Sequence, residues 1–546
     1  MPYHQYLLTS IKYSFGTPAS TILSNLLNQS GLTFTNILTR LQSDYTTSTI
    51  QQTLLTLIQH DIIYCTYHSD PKITDVDTSN TYMEPLDKPT GTKKTIYYHI
   101  DTDIIQYRTR FGLYIDYIHQ QYSNQLMESI VTLVCQHGKL TIQYIIDNVN
   151  KQFDTAEPCP SYTAQQISDT INQLIQYQLI HPARTIHNDN ELNGGQSNDG
   201  EAELIFDNHT IQHHNNTNQS IKKRVPSSID TNQQHKRLKL HHIDEQPVPS
   251  NTAIQTNKHH NSTVTQLYAI NHRQFIHIFC RNTIIDYTNQ YIGSTAGYIV
   301  RAILQSYENS TDNTRRGYDI VYIHNLVLKL SNKLTNNITL NDIKSACHEL
   351  CNDTLHILQL SNVQAQSVYN INIHALITEL QMRHIQSAIR DKYGVLSARI
   401  FKLLYHHKSL EESGISDLAC CSRKQCRELC HELFKSKYIQ LQQVPRTTDK
   451  NPSKSFMIWY CNTNTVQSLM CDMLYFTWWN IRTRIQVEYD KVSDIYHKLH
   501  KYNKPLSSAE QLLYDKYVHG NQRCYSALQQ INKLIMLFND YNKLQI

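Results

Sequence analysis

The residues with the richest chemistry in this chain crowd into one run, CCSRKQCRELCH, which holds Cys420, Cys421, Cys426, Cys430 and His431 beside Arg423, Lys424 and Arg427. Thiolates with an imidazole are the donor set of a structural zinc ion. The spacing argues otherwise. The chain has no CxxC pair, and Cys426, Leu429, Cys430, Leu433 and Phe434 recur at i, i+3, i+4, i+7 and i+8, which is one buried helix face. They read as core cysteines, and no metal ligand is expected. Hydrolytic motifs fail in the same way. His-Glu-Leu occurs at His348 and at His431, but the residue four places after each histidine is Asn352 or Lys435, not a second histidine. The segment from Gly293 to Gly297, GSTAG, follows no strand, and there is no GxxxxGK phosphate loop. A non-catalytic protein with no cofactor is expected.

What remains is charge. Lys424, Arg427, His431 and Lys435 are spaced three, four and four apart, so they share the helix face opposite Cys426, Leu429 and Leu433. The polar loop that follows adds Arg446, Lys450 and Lys454. A basic stripe beside a basic loop follows phosphates without reading bases, so these seven are the candidate DNA-binding residues. The plainer alternative is a solvated face balancing Glu428 and Glu432. From Ser397 to Asn462 there are eleven Lys/Arg against six Asp/Glu in a chain whose net charge is only +4, so the basic balance is local. A second basic feature is Lys222, Lys223 and Arg224 followed by Lys236, Arg237 and Lys239, two clusters that suit a bipartite nuclear import signal or a solvated charge run.

The element that must position the stripe is a winged helix. Ile400, Leu403 and Leu404 mark a first helix, and Gly414 breaks the chain before a second that carries Ile415 and Leu418. The stripe helix is third. YIQLQQV and FMIWY then read as a hairpin around TTDKNPSK, with Asn451 and Pro452 near its tip. Three helices and a two-stranded wing are a small domain of the helix-turn-helix kind.

The same order recurs upstream. TPASTILSNLLNQ, LTFTNILTRL and STIQQTLLTLIQHDII are followed by the strands IIYCTYH and KTIYYHI. SNQLMESIVTLVCQHG, KLTIQYIIDNV and SYTAQQISDTINQLIQYQLI form a second set, whose wing is interrupted by a polar stretch with nothing to bury and resumed at QLYAIN. A third set has helices in DYTNQYIGSTAGYIVRAILQSY, YDIVYIHNLVLKLS and TLNDIKSACHELCNDT and a wing in LHILQL and SVYNINIHALI. Beyond Asn462 the wings stop. Val466, Met470, Met473, Ile485, Val492, Ile495 and Leu499 make one long stripe, a capping box runs from Ser507 to Glu510, and Cys524, Leu528, Ile531, Ile535 and Phe538 make a return stripe. The expected architecture is mainly α: winged helices at 1–108, 109–271 with a disordered insertion at 183–263, 272–384 and 385–462, then an antiparallel coiled-coil hairpin at 463–546.

Composition agrees with a modular chain. At 546 residues several small cores are expected rather than one. Mean hydropathy is −0.49 and no run of about eighteen apolar residues exists, so a soluble chain with no membrane partner is expected. The N-terminus lacks a basic head and apolar core. Thirteen cysteines without paired spacing suit reduced thiols and, with the import signal, a nuclear location.

Four local matches carry a family resemblance. Arg110-Phe111 with Tyr114, then Gly138 to Thr141 (GKLT), resembles the opening of the second module in the largest subunit of the RNA polymerase III-specific heterotrimer. Tyr268, Asn271, Phe275 and Arg281 are similar to that family's re-entry segment, with Tyr268 where a Trp is expected, and Val444 to Tyr460 is similar to its fourth wing. The resemblance implies four winged helices and a C-terminal coiled coil, kinship with the alpha subunit of transcription factor IIE, and a non-catalytic role in transcription of tRNA, 5S and other small RNA genes. It also implies partners: two smaller heterotrimer subunits, the clamp of the polymerase III core, and promoter DNA in single-stranded or melted form.

Three rivals are weighed. A separate winged-helix initiation factor would want more than one basic reading helix, yet the third-helix faces of the first two modules are uncharged, Gln51, Gln52, Thr56 and Gln59 in one and Gln166, Thr170 and Gln173 in the other. Those two modules are expected to bind protein. The transcription factor IIE alpha subunit would carry a zinc ribbon of two CxxC pairs. A pure winged-helix interaction scaffold would need no basic stripe at all.

Overall fold

The computed structural model describes residues 2–29, 31–69, 94–152, 162–183, 266–309, 317–331, 339–353, 356–363, 366–445, 455–502 and 504–544. The chain starts with a helix that the sequence reading assigned to no element, α1 (Pro2–Phe15), whose buried Tyr6, Leu7, Ser10 and Ile11 keep helical spacing. Next come α2 (Thr17–Leu27), α3 (Phe34–Leu41) and α4 (Thr47–Gln59). Thr33 and Thr46 cap α3 and α4, each side chain accepting from the amide three residues on. The wing is β1 (Ile63–Ser69) paired antiparallel with β2 (Lys94–Ile100), from Ile63↔Ile100 to Ser69↔Lys94.

The second module opens with two helices absent from the sequence expectation, α5 (Thr102–Arg108) and α6 (Phe111–Tyr122). Then follow α7 (Gln125–His137), β3 (Leu140–Thr141), α8 (Ile142–Val149), α9 (Ala164–Gln176), β4 (Ile180–Pro182) and β5 (Leu267–Ile270). β5 is the central strand, with Ile270 opposite Ile180 and Tyr268 opposite Leu140. QLYAIN is therefore the return strand of a wing whose partner lies before residue 184. The expected insertion at 183–263, Ala183 apart, and the candidate import residues Lys222, Lys223, Arg224, Lys236, Arg237 and Lys239 lie outside the described residues.

The third module corrects two expectations. The single helix read through residues 286–307 is two, α10 (His272–Tyr291) and α11 (Ser294–Asn309). Gly293 separates them at φ +145°, a conformation other residues resist. After β6 (Tyr318–Asp319), α12 (Ile320–Ser331), α13 (Leu340–Asn352) and β7 (Leu358–Val363), the strand read through SVYNINIHALI ends early, because β8 (Gln366–Ile371) gives way to α14 (Ile373–Tyr393). The Asn372 side chain caps α14 by accepting from the Ala375 amide. The expected boundary at residues 384 and 385 thus falls inside a helix.

The fourth module comprises α15 (Val395–His407), β9 (Ser409–Glu411), α16 (Glu412–Ala419), α17 (Arg423–Lys435), β10 (Gln440–Pro445) and β11 (Ser455–Tyr460), with β11 central in its sheet. Gly414 lies within α16 rather than before it. Two long helices follow, α18 (Thr463–His500) and α19 (Ser508–Ile535), about 57 Å and 42 Å long at 1.5 Å per residue. Ser507 and Glu510 form the expected capping box. The side-chain pairs Arg482 with Tyr525 and Lys498 with Glu510 set the helices antiparallel. Val466, Met470, Ile485 and Val492 are buried, but past Val492 no α18 residue is. There the seam is aromatic, with Tyr489 against Tyr496 and Tyr517, and His500 against Tyr496 and Tyr514.

Among the described residues two buried cores result. The second module keeps its own around Ile130, Ile145, Ile171 and Phe275, whereas the first, third and fourth modules share one continuous core with α18 and α19. The chain's last turns join these bodies. After α19 the backbone tightens into a π-turn (Met536–Asp540) and a 3-10 turn (Tyr541–Lys543). Asn532 Nδ2 donates to the Thr109 carbonyl at 2.8 Å, Asn539 Nδ2 to Gln106 Oε1 at 2.8 Å, and Lys543 Nζ pairs with Asp103 at 2.6 Å. The Tyr541 hydroxyl meets Thr283 Oγ1 at 3.2 Å, and Gln381 Nε2 donates to the Leu537 carbonyl at 2.7 Å. At the centre the Asp540 carboxylate is ion-paired with Arg110, whose side chain is fully buried.

A second clasp joins the first two modules. The Arg108 guanidinium lies between the rings of Phe15 and Phe111, 4.5 and 5.0 Å from their centroids, and Nη1 donates to His60 Nδ1 at 2.8 Å. Lys139 N donates to the Gln59 carbonyl at 3.0 Å, and its ammonium pairs with Asp61. Burial, then Arg108, pushes His60 down to about 3; burial, His181 and the two arginines push His272, stacked on Phe111, down to about 3. Both are neutral in the fold and charge near pH 6.5 when unfolded. Their contribution is therefore complete above pH 6.5 and is lost as pH falls toward 3, at about 1.4 kcal/mol per pH unit for each. Melting scans at pH 7 and pH 5 should show a marked loss at pH 5. His60→Gln, which keeps an acceptor for Arg108, should flatten that slope, and an unchanged slope would rule out the assignment.

Candidate nucleic-acid interface

The Ser422 side chain caps α17 by accepting from the Gln425 amide, and the burial of Cys426, Cys430 and Leu433 sets the helix rotation that sorts its faces. Cys426, Cys430 and Leu433 are buried and Leu429 is half-buried, but Phe434 is 45% exposed. The expectation of five buried positions fails there. At 100° per residue, Phe434 lies about 80° round the helix from Cys426, beyond the edge of a narrow stripe. Cys426 Sγ and Cys430 Sγ are 3.9 Å apart, and burial pushes the Cys426 thiol up to about 11 and Cys430 further still, so both are unreactive.

Lys424, Arg427, His431 and Lys435 are all exposed, on the side away from the thiols. They are not equivalent. Arg427 forks onto Glu412 of α16, with Nη2 to Oε1 at 2.8 Å and Nε to the same oxygen at 3.1 Å. Its partner is thus Glu412, not the Glu428 or Glu432 weighed from the sequence. The His431 ring stands edge-on to Trp459 at 5.6 Å. Lys424 and Lys435 have no ion pair among the described residues. Arg446, Lys450 and Lys454 lie outside the described residues.

The aromatic side of this surface escaped the sequence reading. Trp459 is buried on β11 between His431 and Phe434, whose ring is 6.0 Å from it, and Met457, two residues back on the same strand face, is 43% exposed. The alternation in FMIWY held that signal. Helix and wing therefore present Phe434, Met457 and His431 beside Lys435, a combination of ring, thioether and cation that suits unstacked bases.

The corresponding helices upstream differ. On α4, Gln51, Gln52, Leu55, Thr56 and Gln59 are exposed, Leu55 at 66%. On α9, Gln166 and Gln173 are exposed, but Thr170, expected on the solvent face, is buried, its hydroxyl donating to the Gln166 carbonyl at 2.8 Å. Neither helix offers a cation. Among the described residues no cluster of His, Cys, Asp and Glu is arranged to hold a metal ion, and no helix is long and apolar enough to cross a membrane.

Comparison with known proteins finds likeness in separate stretches of the chain. Three family models match it: the RNA polymerase III subunit RPC82 helix-turn-helix domain at residues 6–70, RNA polymerase III subunit RPC82 at 206–358, and the POLR3C C-terminal winged-helix domain at 385–461. Among curated proteins, DNA-directed RNA polymerase III subunit RPC3 of Danio rerio is 24% identical over 217 residues, 40% of each chain. The Dictyostelium discoideum subunit is 22% identical over 285 residues, 50% of this chain and 43% of the relative. The Homo sapiens subunit is 25% identical over 139 residues, 26% of each. The matches thus span from about a quarter to under half of these relatives' length.

Proposed function

Because this chain belongs to the RPC3 (RPC82/POLR3C) family of RNA polymerase III subunits, we propose that it is a nuclear, non-catalytic subunit of that polymerase. In this reading it holds two smaller subunits of the polymerase's heterotrimer, docks on the clamp of the core enzyme and contacts promoter DNA as the strands separate. The observation that carries the DNA contact is the exposed pair Lys424 and Lys435 on α17, flanked by Phe434 and His431 and unpaired among the described residues. Arg427 plays a smaller part, since Glu412 already occupies its fork.

The experiment is a salt titration of single-stranded promoter DNA. Lys424→Ala with Lys435→Ala removes two phosphate contacts and should lower the log-log slope by about 1.4. Arg427→Ala should change it by less. An unchanged slope in the double variant would reduce the stripe to a solvated face. The scaffold role rests on α4 and α9, whose exposed faces carry no cation. Reversing the α17 charges should therefore leave co-purification with the polymerase III subunits intact, and loss of that co-purification would favour a pure interaction scaffold.

A further inference from the structure

Among the described residues β7 is an outer strand. β8 pairs it along one side, from Leu358↔Ile371 to Val363↔Gln366, and no strand pairs the other. An open edge presents unpaired N–H and C=O groups, which proteins usually blunt with proline, charge or a bulge. The outer strands β4 and β10 end on Pro182 and Pro445. β7, LQLSNV, has neither proline nor charge, and its Leu360 is 52% exposed.

Two clefts flank this edge. One, of about 540 Å³, is floored by Leu358, Leu360 and Tyr369 and rimmed by His348 and Asn352 of α13. The other, of about 490 Å³, is lined by Thr378 and Glu379 of α14 with Tyr405, His406 and Lys408. They meet at His356 and Gln359, which line both. The first has an apolar floor. In the second the Glu379 carboxylate accepts from the Tyr405 hydroxyl at 2.7 Å, while the Lys408 ammonium lies 5.2 Å from the Tyr405 ring centre with no carboxylate partner among the described residues. Lys408 ends α15 in the left-handed region, at φ +67°.

We propose that β7 accepts an extended segment of another polypeptide as a fourth strand of its sheet, with an acidic side chain reaching Lys408 and an apolar one covering Leu360 and Tyr369. A strand sends alternate side chains to opposite faces, so one added here addresses both clefts at once. The main chain supplies affinity, and the acidic and apolar alternation supplies choice of partner. This surface is separate from α17 and does not depend on the nucleic-acid reading.

The test uses the full chain and a fluorescein-labelled nonapeptide of alternating Glu and Val. Saturable binding is expected. N-methylation of every second residue in one phase should abolish it, and in the other phase leave it unchanged, because only one edge of the peptide faces β7. Lys408→Glu with His406→Glu should weaken binding by about fivefold or more, as loss of exposed charge contacts does. A Lys-Val peptide should not bind. The proposal is overturned by no saturable binding below about 1 mM, by equal binding of both N-methylated phases, or by a Lys-Val peptide that binds as well. Displacement of the peptide by single-stranded DNA, or self-association of the chain that the peptide relieves, would overturn it in favour of nucleic acid or a second copy.

Discussion

Asp540→Ala should cost about 3–5 kcal/mol, the usual loss when one partner of a buried ion pair is removed. Arg110 is fully buried and Asp540 is 1% exposed. Beyond its carboxylate partner, Arg110 Nε and Nη2 find no hydrogen-bond acceptor among the described residues, so the variant leaves a guanidinium stranded in the core. Burial lowers the Arg110 pKa and Asp540 raises it, so the variant loses the group that favours the charge; the guanidinium is nonetheless too basic to escape by giving up its proton. A double change, Arg110→Met with Asp540→Leu, replaces both charges by apolar groups of similar size and should recover most of the loss.

The consequence reaches beyond one pair. Asn532, Asn539, Tyr541 and Lys543 bond to Thr109, Gln106, Thr283 and Asp103, and the Leu537 carbonyl accepts from Gln381, so the chain's last turns touch the second module, α10 and α14 together. A chain of several modules does not unfold in one step, so a shift in melting temperature does not say which modules came apart. Amide hydrogen exchange is better. Asp540→Ala should raise exchange at Ile105 and Ile284 while sparing Cys430 in the fourth module. Equal protection at all three sites would mean that the pair holds nothing together.

How much of this was legible in the sequence varies by element. The third helices and their wings stand out because buried residues keep strict spacing, as in Ile50, Leu54 and Leu57 of α4 or Cys426, Cys430 and Leu433 of α17. Even the return strand β5 is legible from its alternation, across more than eighty residues. α1, α5 and α6 are not, because their buried faces mix Tyr6, Ser10, Gln106 and Tyr114 with only one or two aliphatic residues each, which blurs a periodicity count. The candidate DNA stripe is legible as spacing, whereas its pairing is not. Arg427 and Glu412 lie fifteen residues apart, and only the packing of α16 on α17 brings them into contact. The motif residues Arg110, Phe111 and Gly138 were legible as a resemblance, but their reason is tertiary. Arg110 anchors the chain's end, Phe111 covers Arg108, and Gly138 lets one module touch the next.

That last contact yields a substitution with a large effect from one added methyl group. Gly138 ends α7 at φ +79°, its amide donating to the Val134 carbonyl at 2.8 Å. A Cβ there would stand 2.5 Å from the Gln59 carbonyl oxygen and 2.9 Å from His60 Nδ1, the atom that accepts from Arg108. Backbone cannot yield as a flexible side chain would, so Gly138→Ala combines left-handed strain with a collision and should cost about 2–4 kcal/mol. The collision would also separate Lys139 from Gln59 and Asp61 and loosen the clasp between the first two modules. Gly520 is the control. It lies within α19 with open space where a Cβ would go, so Gly520→Ala should stabilise the helix by about 0.5–1 kcal/mol. Thermal melts of the two variants should move in opposite directions, with added hydrogen exchange at Lys139 and Leu140 only in Gly138→Ala. A Gly138→Ala chain that melts with the parent and keeps that protection would show that the two modules are not held together through this turn.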